Sequence, residues 1–209
     1  MGGQVAQIVS DAADCELGGT WSRENSGELD TVLEAADVAI DFTLSEATAT
    51  IVDAVERNGT PLVCGVTGLA QADIDAMSAA ARNVPILWDR NMSVGIATMS
   101  VLAQEAAGRL GASVAVKISE THHVHKKDAP SGTALLLRES LNDDRIEIES
   151  RREGEVVGEH AVCFVSDAET LEIRHHVSDR RVFAEGAVRA ARWLVSQPPG
   201  VYRMTQIGA

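Results

Sequence analysis

Aromatic residues are scarce: three Phe, three Trp and one Tyr make up 3% of a 209-residue chain. A core with so few rings has to rest on Ala, Val, Leu and Ile, which alternating strands and helices commonly use. Cysteine is scarcer still. Cys15, Cys64 and Cys163 are odd in number and far apart. That excludes a disulfide framework and a zinc pattern, and reads as three reduced core thiols. Long hydrophobic runs are missing. No apolar stretch approaches the ~20 residues of a membrane span, and no signal peptide precedes the first helical pattern, so a soluble cytoplasmic protein is expected. Basic charge is in deficit: 18 Lys and Arg stand against 31 Asp and Glu, for a formal net charge of -13. Such a surface repels nucleic acid and anionic lipid, so neither is an expected partner. It also means that any local basic cluster needs a reason.

What is present is 45% apolar residues, enough for one large domain or two small ones. No repeat of fixed period and no low-complexity stretch interrupts them. In the first half, short β-rich runs alternate with helical patterns. Gln4 to Ala13 reads as a helix, Cys15 to Trp21 as a strand and Leu29 to Ala35 as a short helix. Asp37 to Phe42 reads as a strand, and Ser45 to Asn58 as a helix stopped by Gly59. Leu62 to Cys64 is a strand, Gln71 to Arg82 a helix, Ile86 to Trp88 a strand, and Val94 to Leu110 a long helix ended by Gly111. This rhythm predicts an α/β fold with a Rossmann-like, doubly wound parallel sheet. From Ser113 the pattern changes. A strand over Val114 to Glu120, a helix from Ser131 to Leu141, and strands near Ile146–Glu149, Glu155–Phe164 and Thr170–His176 predict a mixed or antiparallel sheet with one face open to water. Arg181 to Val195 reads as a final helix. The expected domains are a dinucleotide-binding domain over 1–112, a smaller α+β domain over 113–179, and a C-terminal helix, about 180–209, packing back on the first.

The basic cluster is in Glu120 to Ala134, where three histidines and two lysines fall between His122 and Lys127. Pro130 then precedes Ser131, Gly132 and Thr133 at a predicted helix start. Backbone N–H groups and the helix dipole there suit a carboxylate. Gly132 permits close backbone approach, and the hydroxyls of Ser131 and Thr133 add donors. The combination suits a small dianion, with one carboxylate on the helix start and another near Lys126. A histidine beside it can exchange a proton near neutral pH. Blander accounts stand beside this one. Ser131 is also what a simple N-cap looks like, and a solvated basic loop has the same charges. A metal held by His122, His123 and His125 is disfavoured, because the spacing does not aim them at one point and two adjacent lysines oppose a cation.

The string His122-His123-Val124-His125-Lys126-Lys127-Asp128-Ala129-Pro130-Ser131-Gly132-Thr133-Ala134 resembles the signature of the 4-hydroxy-tetrahydrodipicolinate reductases. Five further segments resemble that family in order: Asp37 to Thr43, Gly65 to Gly68, Asn91 to Gly95, Gly158-Glu159-His160, and Phe183 to Leu194. The resemblance implies hydride transfer from NADPH or NADH to a cyclic dicarboxylate, with addition of a proton. It implies His122 as proton donor and Lys126 as second catalytic group and anion partner. His123, Ser131, Gly132 and Thr133 are implied to bind the carboxylates. On the cofactor side it implies Gly65, Val66 and Thr67, and then Asp89, Arg90, Asn91 and Met92. Arg23 follows Ser22, where the family usually has an acidic residue; an arginine without that carboxylate favours NADPH. A homotetramer built by the sheet of the second domain is also implied.

The chain departs from the family at its start. Met1 and Gly2 resemble the tail of the glycine-rich turn that cradles pyrophosphate, while the strand and glycines that precede that tail are absent. The expectation is an incomplete sequence, because a missing central strand would leave its two neighbours unpaired. The stretch from Asn142 to Glu155 is also short for the family.

Overall fold

A computed structural model describes residues 1–208. The chain forms two compact units, Met1–Ser93 with the chain from Phe183 onward, and Val94–Val182.

The first unit is a parallel sheet with helices on both faces. Its strands β1 (Ala39–Asp41), β2 (Leu62–Cys64), β3 (Pro85–Trp88) and β8 (Gly200–Tyr202) lie in that order, and every pair is parallel. On one face, α2 (Leu29–Glu34), α3 (Thr48–Asn58) and α4 (Gln71–Ala80) supply Leu33, Ile51, Val55 and Met77 to a core that includes Leu62, Cys64 and Ile86. On the other, Val5 of α1 (Gly2–Asp11) and Ala184 and Val188 of α7 (Arg181–Leu194) pack with Ile40 and Phe42. Double coverage explains why Leu62, Val63 and Cys64 are all fully buried and do not alternate. Gly59 ends α3 in the left-handed conformation, at φ 72°.

Several expectations change here. Cys15 to Trp21 is irregular chain, not a strand. A strand exists only where a ladder partner accepts its backbone groups, and β1 has no partner on its edge away from β2 among the described residues. β8 was not expected; its three residues become a strand through register with Pro85 to Leu87. Of the cysteines, only Cys64 is a core thiol, and burial followed by the charge of Asp41 pushes it up to about 12. Cys15 and Cys163 are half-exposed.

The second unit packs two helices on one face of the sheet β5-β4-β6-β7. Here β4 is Ala115–His122, β5 Ile148–Arg152, β6 Gly158–Val165 and β7 Thr170–Val177. β5 runs parallel to β4, and the other pairs are antiparallel, so the sheet is mixed. Ile96, Met99 and Ala103 of α5 (Val94–Leu110), and Ala134 and Leu137 of α6 (Gly132–Ser140), enclose Ile118, Val162 and Phe164. The change of pattern at Ser113 predicts a domain boundary at 112/113. The compact units instead divide at Ser93/Val94, because the buried stripe of α5 belongs to this core.

Candidate active site

Residues two apart on a strand share a face. On β4 the inward series is Val116, Ile118, Glu120 and His122. The registered inward series on β6 is Phe164, Val162, His160 and Gly158. The same face is therefore apolar under α5 and α6, and polar towards the end of β4. β5 brings Ser150 opposite Glu120, and Arg152 opposite His122.

Glu120 is the centre of this polar end. Its side chain is wholly buried. One carboxylate oxygen accepts the N–H of Ser131 at 3.2 Å. Arg152 donates to both oxygens at 3.1 Å. His122 Nδ1 hydrogen-bonds to Glu120 Oε2. Burial by itself would raise the Glu120 carboxyl, but its polar neighbours, Arg152 foremost and then Ser150 and His122, outweigh it and hold it below the usual range. A buried ion is tolerable only with such partners. Arg152 also donates through Nε to the Lys126 carbonyl at 3.2 Å, and through its terminal nitrogens to the carbonyls of Arg151 and Asp128. The guanidinium thus clasps the 126–128 loop onto Glu120.

His122 is 8% exposed, and its ring meets that of His160 edge-on at 5.1 Å. Burial lowers its pKa more than Glu120 raises it. His160 is 3% exposed and is pushed down to about 3, by burial first and then by the charge of His122. It is therefore a neutral ring at any ordinary pH. Its Nε2 lies 3.3 Å from Ser131 Oγ. Lys126 is three-quarters buried at its side chain and pairs with Asp128 at 2.8 Å. Its charge is felt by both His122 and His160.

Ser131 caps α6, its hydroxyl accepting the N–H of Ala134 at 3.2 Å. Its buried N–H goes to Glu120, which fixes the backbone at the helix start. At Gly132 an added Cβ would meet nothing within 4 Å, which leaves the helix opening accessible. Thr133 is 8% exposed. His123 follows β4 with its ring 6.1 Å from that of His125. Among the described residues, no three His, Cys, Asp or Glu side chains are grouped to hold a metal ion.

Three members of the cluster lie outside the site residues expected from sequence: Glu120, Arg152 and His160. Glu120 was findable, because it stands two residues before His122 on a predicted strand. Arg152 had no local signal; only the β4–β5 register brings it in.

The residues expected to hold a cofactor lie in the first unit. Val66, Asp89 and Met92 are buried, so their side chains serve the scaffold. Asp89 accepts the N–H of Arg90 at 2.8 Å and of Met204 at 3.2 Å. Gly65 has no room for a Cβ because the Phe42 ring would lie 2.4 Å away. Thr67 and Arg23 are exposed; Arg90 and Asn91 are half-exposed. α1 begins at Met1 and Gly2 with no side-chain cap and no acidic residue in its first turn. A Cβ at Gly2 or Gly3 would meet nothing within 4 Å.

Two family models match this chain: dihydrodipicolinate reductase, N-terminus, over residues 1–92, and dihydrodipicolinate reductase, C-terminus, over residues 95–207. The chain belongs to the dihydrodipicolinate reductase family. A relative from Alkalilimnicola ehrlichii, named 4-hydroxy-tetrahydrodipicolinate reductase, is 42% identical over 86% of this chain and 76% of its own length. One of the same name from Methanoculleus marisnigri is 37% identical over 99% and 94%. The fold of this family member is similar to that of dipicolinate-bound dihydrodipicolinate reductase from Paenisporosarcina sp. TG-14. The TM-score is 0.80 at 20% identity, covering 97% of this chain and 92% of that one. A likeness to the diaminopimelate dehydrogenase of C. glutamicum, with a TM-score of 0.61 and 11% identity, covers 99% and 91%. Membership accounts for the doubly wound first unit and the mixed sheet of the second. No helix among the described residues is long and apolar enough to cross a membrane.

Proposed function

We propose that this chain reduces 4-hydroxy-tetrahydrodipicolinate to tetrahydrodipicolinate with a nicotinamide cofactor, in the synthesis of diaminopimelate and lysine. The observation that carries this reading is the cluster in the second unit. A buried histidine backed by a carboxylate stands within the field of Lys126, and the same carboxylate grips the residue that caps α6. The substrate is a ring with two carboxylates, and these residues offer complementary charge. One carboxylate lies at the opening of α6, against Gly132 and Thr133. The other lies by Lys126 and His123, with Lys126 exchanging Asp128 for it. Ser131 contributes by capping the helix and holding its backbone still. A bound nicotinamide supplies the hydride. His122 supplies the proton, and the cations around it lower the cost of charge developing on the ring.

The cofactor is held by Met1 and Gly2 at the opening of α1, by Arg23, by the Gly65–Val66–Thr67 turn and by Asp89–Met92. We take NADPH as preferred. Ser22 occupies itself capping its own turn, accepting the N–H of Glu24 at 3.2 Å. The exposed Arg23 beside it suits a 2′-phosphate with no carboxylate to repel it. The reading includes a cytoplasmic homotetramer assembled through the outer face of the second sheet. That face carries Lys117, Ser119, Cys163 and Arg174, and neither α5 nor α6 covers it.

The decisive assay adds the aldol product of pyruvate and aspartate semialdehyde, and follows NADPH absorbance. Oxidation that depends on that product supports the reading; none, with both ligands shown to bind by calorimetry, sinks it. Pyridine-2,6-dicarboxylate serves as the unreactive acid in that calorimetry. Sedimentation reads the assembly state, and a monomer removes the tetramer from the proposal.

A further inference from the structure

Nothing in the family resemblance gives Glu120 a role, yet no side chain in the second unit has its surroundings. The carboxylate has no exposed surface, and all its hydrogen bonds are inside the protein. Oε1 accepts the Ser131 N–H and the Arg152 fork. Oε2 faces His122 Nδ1 and one Arg152 nitrogen. Both neighbours of Oε1 are obligate donors, so Oε1 must stay an acceptor.

We infer that Glu120 is the positioning residue for His122: its fixed carboxylate accepts the hydrogen bond of Nδ1–H and so makes Nε2 the ring atom that exchanges a proton with substrate. This rests on the role proposed for His122 above. A neutral imidazole has one N–H, and an adjacent carboxylate decides which nitrogen carries it. The opposite side of the ring is kept clear by a glycine. A Cβ at Gly158 would come within 3.2 Å of Nε2 and 3.4 Å of Cδ2. The hub extends beyond the histidine. Through Ser131 it holds the opening of α6, and through Arg152 it holds the loop that carries Lys126. One buried anion therefore orients the proton donor and both carboxylate-binding elements together.

In the donating state both ring nitrogens carry protons. The Nε2 proton passes to the substrate as hydride adds to it. The N–H bonding pair stays on Nε2, and the other proton stays on Nδ1, hydrogen-bonded to Glu120, so the ring is left neutral. Solvent then reprotonates Nε2. The charged and titratable groups around the ring are Glu120 on its own strand, Arg152 on β5, His160 on β6 and Lys126 in the loop; His175 on β7 lies beyond His160, and Asp128 pairs with Lys126. Glu120 is the negative one, so it supplies the field that keeps a proton on His122.

The test is nitrogen-15 NMR of the whole chain with Glu120→Gln as the comparison. Wild-type His122 at pH 8 is expected to carry its proton on Nδ1. In Glu120→Gln, Ser131 and Arg152 claim the amide oxygen at the Oε1 position. The NH2 then faces His122 Nδ1, and the proton moves to Nε2. Turnover should fall by about 100-fold, with the KM for the dicarboxylate changed less than about threefold. Because His122 must be protonated to donate and Glu120 raises its pKa, the alkaline limb of the pH profile should move to lower pH, and Glu120→Asp should recover part of the loss. If Glu120→Gln does not fold, the wild-type spectrum still decides. A wild-type Nε2–H tautomer overturns the inference, as does a folded Glu120→Gln with unchanged turnover and pH limb. Full turnover in His122→Ala would overturn the proposed function of His122 instead, and would do so whatever the tautomer.

Discussion

The two sheets of this chain use their strands in opposite ways. In the first unit the strands are three or four residues long and their side chains are spent on the core. The accessible groups there come from the turns after the strands, such as Thr67, Arg90 and Asn91. In the second unit β4 and β6 are eight residues each, and α5 and α6 cover only part of one face. The same inward series can then be core at one end and reactive at the other: Ile118 leads to Glu120 and His122, and Phe164 and Val162 lead to His160. A strand buried on both faces presents backbone and loop to a ligand. A long, half-covered strand presents chemistry. Substitutions in the first unit should therefore act on stability and cofactor affinity, and those in the polar end of the second on turnover.

The largest effect should come from His122→Ala. Turnover is expected to fall by about 1,000-fold, while calorimetry finds NADPH affinity unchanged. Weakened NADPH binding would erase the division between the units. Next is Gly186→Ala in α7. A Cβ there would lie 1.8 Å from the backbone carbonyl oxygen of Met92, so the helix has to move off the 89–93 loop. Overpacking against backbone should cost about 3 kcal/mol, read as a lower urea midpoint. Affinity for pyridine-2,6-dicarboxylate should hold under folding conditions. A Gly186→Ala variant as stable as the parent would contradict the packing of α7.

The same difference in strand length decides what the sequence revealed. Long periodic segments were legible: α5 was read at Val94–Leu110 and has those bounds, and the alternation over Val114 to Glu120 became β4. The change at Ser113 from crossover helices to successive strands correctly marked a mixed sheet. Three-residue strands carry no such period. Cys15 to Trp21 has strand-like residues but finds no ladder, while Gly200–Tyr202, too short to show a period, is drawn into one by β3. In the site, the histidines, Lys126 and the start of α6 were visible because they are contiguous. Arg152 lies 32 residues from Glu120, and only the register of β5 makes them partners. Ser131 was open between ligand contact and helix cap. Its hydroxyl caps α6 by accepting the N–H of Ala134, and its own O–H remains a donor, so the cap does not exclude the contact.

The smallest effect separates the units by pH. The His160 pKa falls from 6.5 to about 3 on folding, mainly through burial. Between those values the unfolded chain binds a proton that the folded chain refuses. Stability contributed by the neutral ring is therefore whole above pH 6.5, and is lost progressively as pH falls towards 3. Burial shifts His122 and His175 in the same direction. In the first unit burial raises Asp41 and Asp89, so acid relieves a cost there. Between about pH 7.5 and 5, the wild type should lose about 2 kcal/mol more than His160→Gln. Glutamine keeps a neutral polar group near Ser131 and takes up no proton. Urea unfolding at the two pH values measures that difference. Hydrogen exchange, corrected for its own pH dependence, should locate it: protection falls in β4 and β6 while β2 and β3 hold. Equal losses in all four strands would mean that the two units melt as one, and that the acid-sensitive histidine end is no weaker than the apolar parallel sheet.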